Sequence, residues 1–154
     1  MNAYGPEPDW SLGAAKAWLL ERLEEGATCP CCTQFSKVYK RKINSTMARA
    51  LITLYLHSDG EEFVHTATLP GDTHEMSQLS WWGLVLEERL LRPDGGRAGH
   101  WRLTHKGRLF VLGSVTVPAR ARVYDGRVLS LVGQQVTIED CLGSRFNYTE
   151  LMER

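Results

Sequence analysis

Residues 74–112 constrain this chain more than any other stretch, because the spacing of apolar positions changes repeatedly within one short span. Met76, Leu79 and Trp82 recur at three-residue intervals and Gly83 follows them, which predicts a helix with those side chains on one face and a stop at the glycine. Val85 to Arg92 then reads as extended, Pro93-Asp94-Gly95-Gly96 supplies turn chemistry, and His100 to Leu103 returns with Trp101 and Leu103 on one side. Thr104 caps a closing helix from His105 to Leu112. The order is helix, hairpin, helix.

That order is the back half of a winged helix. Gly83-Leu84-Val85, Asp94-Gly95 and Trp101-Arg-Leu-Thr-His-Lys-Gly-Arg108 resemble winged-helix regulators of the MarR and PadR kind over roughly residues 44–112. The wider chain resembles uncharacterised phage and prophage proteins that share a Cys-Pro-x-Cys element, a Lys/Arg-Lys-x-Asn segment and a C-terminal Arg-Phe-x-Tyr-x-Glu-Leu-Met. The regulator resemblance implies nucleic-acid binding, with a wing tip flanked by Arg92, Arg97, His100 and Arg102 approaching the phosphate backbone. The chain departs from the regulator pattern in one place. Only Phe63 to Thr73 is left for a support helix, and Pro70-Gly71 interrupts it, so the helix-turn-helix is degenerate. The helix meant for the groove carries Glu75, Met76 and Gln78, with Asp72 before it and no Lys or Arg. Such a helix reads bases poorly.

The flanks extend this unit. Asp9 or Ser11 caps a helix from about Leu12 to Glu25, with Leu12, Ala15, Leu19 and Leu23 as its buried stripe and Gly26 as its stop. Cys29 and Cys32 have the spacing with which two thiolates grip one zinc from a tight turn, but a closed site needs two further ligands and no second knuckle exists. Structural zinc and a reduced thiol-bearing turn are therefore both open. Asn44 or Ser45 caps a helix to about His57, whose broad band of Met47, Ala50, Leu51, Ile52, Leu54, Tyr55 and Leu56 predicts burial on most sides. After residue 113 the β-branched runs around Asp125-Gly126 predict an antiparallel meander, with Arg120 and Arg122 opposite Ala121 and Val123, then a terminal helix from Asn147 or Thr149. The expected class is α+β. The expected layout is an arm, helix and Cys-rich basic segment at 1–43, the winged unit at 44–113 and the meander at 114–154.

Charge bears on the partner. The net charge is zero, yet residues 26–58 carry Lys37, Lys40, Arg41, Lys42 and Arg49 with no acid, and residues 92–124 carry seven arginines and lysines against Asp94. Two basic blocks in a neutral chain suit a one-sided electrostatic footprint. Lys37, Lys40, Arg41, Lys42, Arg92, Arg97, Arg102 and Lys106 are the candidate phosphate contacts. The alternative is a protein adaptor that docks through Glu75, Gln78 and an exposed Trp81. No enzyme motif is present: His74-Glu75 lacks the second histidine of a zinc protease helix, and there is neither a phosphate-cradling glycine loop nor a nucleophile elbow. The longest apolar run, Leu109 to Leu112, is far short of a membrane span, so a cytoplasmic protein is expected.

Overall fold

The structure is a computed structural model that describes residues 6–58, 61–88 and 99–153. It is α+β, with short antiparallel sheets and five α-helices among the described residues. No described helix is long and apolar enough to cross a membrane. The chain divides into two compact units, one of residues 1–41 with 122–130, the other of residues 42–121 with 131–154.

The larger unit is built around α2, Ser45–Ser58. Asn44 starts it, its side-chain oxygen accepting from the Met47 N–H at 2.9 Å, and helices α3 (His105–Val111), α4 (Ile138–Leu142) and α5 (Tyr148–Met152) all pack on it. Most of the broad apolar band is thereby used, with Met47, Leu51, Ile52 and Leu54 fully buried, but Tyr55 is half-buried and Leu56 is 39% exposed. Each such burial contributes about 1.5–3 kcal/mol. After α2 come β4 (Val64–His65), one 3₁₀ turn at Thr66–Thr68, and a second 3₁₀ helix, Met76–Trp82. The three-residue spacing of Met76, Leu79 and Trp82 matches 3.0 residues per turn, so the three side chains eclipse one another and all are buried. Gly83, at φ 72°, ends this helix in the left-handed region that glycine occupies freely.

Strand β5 (Val85–Glu87) pairs antiparallel with β6 (His100–Leu103), Val85 opposite Leu103 and Glu87 opposite Trp101, and the sheet runs β4-β6-β5. The Pro93-Asp94-Gly95-Gly96 turn expected between them, with Arg92 and Arg97, lies outside the described residues. Of the core predicted from the sequence, Leu51, Leu54, Leu79, Trp82, Leu84, Trp101, Leu103 and Phe110 are buried, but Leu86 is 39% exposed. Leu84 and Leu86 do not share a strand face, because Leu84 still belongs to the turn, its N–H donating to Leu79 O at 3.3 Å. The alternation restarts at Val85, which points inward and sends Leu86 out.

The meander expected after residue 113 is one long hairpin, β7 (Val117–Tyr124) and β8 (Arg127–Val136), joined by Asp125-Gly126 with φ 51° and 73°. Two successive positive φ values make the tight turn whose twist suits a hairpin. Strand β8 ends at Val136, and α4 begins after Thr137. There a capping box forms: the Thr137 hydroxyl accepts from the Asp140 N–H at 3.1 Å and the Asp140 carboxylate from the Thr137 N–H at 2.9 Å. Helix α4 follows from it.

The smaller unit holds α1 (Leu12–Leu20), the two-stranded hairpin β1 (Ala27–Thr28) and β2 (Phe35–Ser36), most of β3 (Tyr39–Lys42) and the tip of the β7–β8 hairpin. Ser11 caps α1, accepting from the Ala14 N–H at 3.0 Å. The stripe foreseen on α1 is only partly buried. Ala15 is inside, and so is Leu23 from the turn that follows the helix end at Leu20, while Leu12 is 77% exposed. Gly26, at φ 95°, sits in the left-handed region that glycine occupies freely.

Candidate nucleic-acid interface

Strand β3 follows a segment with no acidic residue, and all four of its residues face solvent. Tyr39 and Arg41 lie on the same side of β3, and Lys37 stands in the linker just before it. The Lys37 ammonium lies 5.9 Å from the Tyr39 ring centre and the Arg41 guanidinium 5.3 Å from it. Tyr39 is itself 47% exposed, an open aromatic plate held between two cations. Lys40 is exposed beside them in the smaller unit, and Lys42, also exposed, is the first residue of the larger unit.

Two acids of the smaller unit are engaged elsewhere. Glu24 pairs with Arg122, which also donates to the Ser130 hydroxyl at 3.0 Å, and Glu21 lies 3.6 Å from Arg22. Among the described residues no carboxylate pairs with Lys37, Lys40 or Arg41. Their charge is left for an external anion. In the sequence, Tyr39 stands among the basic residues of 34–43, an interleaving of aromatics and cations that suits either stacked bases on a phosphate backbone or a solvated strand edge.

The cations of the larger unit are more committed. Arg102 stacks over the Phe63 ring at 5.0 Å and is half-buried. Lys106 donates from Nζ to Trp82 O at 3.0 Å, closing the carbonyl end of the 3₁₀ helix. Arg108 lies 3.5 Å from Glu61, and these side chains border a cleft of about 370 Å³ with Leu86, Thr104 and His105. The residues foreseen for a protein contact are also in use. The Glu75 carboxylate accepts from Asn44 Nδ2 at 2.7 Å, Gln78 is half-buried, and Trp81 is half-buried with its ring centre 6.3 Å from that of Trp82.

Cys29, Cys31 and Cys32 occupy the loop of the β1–β2 hairpin. The Cys29 N–H donates to Gln34 O at 2.8 Å and the Thr33 N–H to Cys29 O at 2.9 Å, with Thr33 at φ 65°. Hydrogen bonding from the Cys32 backbone, and then from that of Cys31, holds the Cys29 thiol below its ordinary range. All four cysteines are free thiols, and among the described residues no group of three or more His, Cys, Asp or Glu side chains is placed to hold a metal ion. No family model, curated protein or solved structure matches the chain.

Proposed function

We propose that this chain is a nucleic-acid-binding protein of winged-helix architecture, acting as a regulator of the phage-borne kind, whose main grip is Tyr39 and Arg41 of β3 together with Lys37 in the linker before it. The observation that carries the reading is the exposed tyrosine bracketed by two cations with no carboxylate competing for them. Cations bind phosphate without regard to sequence, and an open aromatic ring stacks any unpaired base. The reading therefore favours single strands or duplex ends over base recognition in a groove. Support for the winged helix comes from the order α2, β4, 3₁₀ turn, 3₁₀ helix, β5, β6, α3 and from the sheet order β4-β6-β5. The 3₁₀ helix, with no Lys or Arg in it, makes no case for entering a major groove. The adaptor alternative draws little from Glu75 or Trp81, since one is bonded to Asn44 and the other half-buried.

Salt-titrated fluorescence anisotropy on labelled single-stranded and duplex oligonucleotides of arbitrary sequence tests this. Affinity should fall steeply with salt, Lys37→Ala and Arg41→Ala should each make the salt slope shallower by about one unit, and Tyr39→Ala should cost about 1–3 kcal/mol, on single strands only. Arg102→Ala should matter less. Binding no tighter than about 100 μM at low salt, weaker than ordinary non-specific affinity, would sink the proposal.

A further inference from the structure

Two arginines of the larger unit stand apart from its committed cations. Thr46 and Arg49 lie three residues apart on α2 and so share a face of that helix. The loop before α5 covers this face and sets Phe146 beside both guanidinium groups, Arg49 at 5.2 Å from the ring centre and Arg145 at 5.1 Å. Arg145, itself exposed, also donates from Nη1 to the Thr46 hydroxyl at 3.1 Å. Arg49 lies against Gly71, where a Cβ would meet the guanidinium carbon at 3.0 Å and the bare glycine leaves it room. A guanidinium stacked on a ring keeps N–H donors at its edge, in the fork that matches phosphate. Among the described residues no carboxylate pairs with either arginine. Two like charges held beside one ring repel each other, and a bound anion relieves that cost.

We propose that Arg49, Arg145 and the cleft next to Arg49 form a second contact for a nucleic-acid strand, on the larger unit: the two guanidiniums hold phosphates and the cleft takes an unpaired base. The cleft measures about 240 Å³ and is walled mainly by Ile52, Leu56, Pro70 and Leu151, with Arg49 and His57. Leu56, 39% exposed, offers a base an apolar surface. The flat face of a base suits such walls, and the cation that borders the cleft fixes where its phosphate lies. Phe146, half-buried, is a positioning residue that fixes the guanidiniums. A duplex keeps its bases stacked inside, so this contact selects single strands or splayed ends. A polyacidic peptide matches the arginines alone, whereas a single strand offers charge and a ring face at neighbouring positions, one for each part of the site. The contact rests on the nucleic-acid reading of the chain but not on the β3 face, since all its residues belong to the larger unit.

Anisotropy of a labelled single-stranded oligonucleotide, measured with the full-length Lys37→Ala/Tyr39→Ala/Arg41→Ala protein, isolates this contact from the β3 face. Binding should persist there. Adding Arg145→Ala should weaken it about fivefold or more and make the salt slope shallower by about one unit, a change that a purely structural role for Arg145 would not produce. An abasic strand of equal length and charge should bind the triple variant about fivefold less tightly than the ordinary strand, for want of a base in the cleft. Circular dichroism checks that each variant folds, and the abasic comparison needs no Arg145 variant. An unchanged slope with Arg145→Ala, equal binding of abasic and ordinary strands, or displacement by poly-glutamate as effective as by unlabelled strand would each overturn the proposal. The two contacts fail separately. A triple variant that no longer binds leaves the β3 face standing and removes this one, whereas a triple variant that binds like the wild type, with Arg145→Ala costly, does the reverse.

Discussion

Two tryptophans show how differently the two units are held together. Trp82 in the larger unit is buried to 1% exposure and donates its indole N–H to Pro118 O at 2.7 Å. Trp18 in the smaller unit turns its indole N–H inward with no acceptor, while Arg22 stacks on its ring at 4.5 Å. The buried apolar side chains divide the same way. Ala15, Leu23, Val38 and Val123 are those of the smaller unit among the described residues, and the many others belong to the larger. A unit of that size with so few buried side chains lacks the burial that ordinarily stabilises a domain, and small domains of this sort are usually held by a metal, a crosslink or a partner. The larger unit uses its sequence to fold. The smaller one places cations, an aromatic plate and thiols on its surface.

The strongest way to break the comparison is to disturb the larger unit at Gly107. A Cβ added there would meet the Leu84 carbonyl oxygen at 2.0 Å, and the nearby Thr104 N–H donates to that same oxygen at 3.1 Å. Backbone cannot yield as a side chain does. Gly107→Ala should therefore cost several kcal/mol, at or above the usual ~1–3 kcal/mol for overpacking, and lower the thermal midpoint of the main transition. A variant as stable as the wild type would mean that α3 does not pack against the start of β5 in this way.

A smaller effect sharpens the comparison. Trp82→Phe should destabilise by about 1–3 kcal/mol, since it leaves the Pro118 carbonyl without its donor and opens space in a filled core. Trp18→Phe removes a donor that has no acceptor and should be close to neutral or stabilising. Paired denaturant titrations measure both. Equal losses at the two positions would remove the distinction between the units.

Some of this division could be read from residues and some could not. The 3₁₀ helix, its Gly83 stop, the Thr104 cap and the buried face of α2 follow from local spacing and capping chemistry, which act over a few residues. Leu86 failed because a left-handed turn resets which side a strand presents, and one residue of register inverts every side chain after it. Helix α4 was hidden among β-branched residues, although Thr137-x-x-Asp140 is a capping signature that periodicity alone overlooks. At the candidate interface, charge blocks were visible but their use was not. Lys37 and Arg41 stay open while Lys106 bonds a carbonyl and Arg102 stacks on Phe63, and only distant parts of the chain decide that.

The mildest expected effect concerns the thiols, which repeat the contrast between the tryptophans. Cys141, in the larger unit, is buried, and burial together with the neighbouring Asp140 carboxylate pushes its thiol up from 9.0 to about 12, with Lys42 offsetting part of the rise. Between those two values the unfolded chain has given up a proton that the folded chain still holds, so unfolding releases it and becomes easier as the pH rises. The stabilisation from keeping Cys141 protonated is complete below about pH 9 and is lost progressively toward pH 12. Stability measured from about pH 8 to pH 11 should decline more steeply for the wild type than for Cys141→Ala, which has no proton to lose there, even though the variant starts lower for want of the sulfur. Cys31 and Cys32, exposed in the smaller unit, should react with iodoacetamide in the metal-free native protein, whereas Cys141 should react only when the larger unit opens. Parallel pH slopes for wild type and variant, or prompt native-state alkylation of Cys141, would show that this thiol is not shielded and that the two units differ less than their tryptophans indicate.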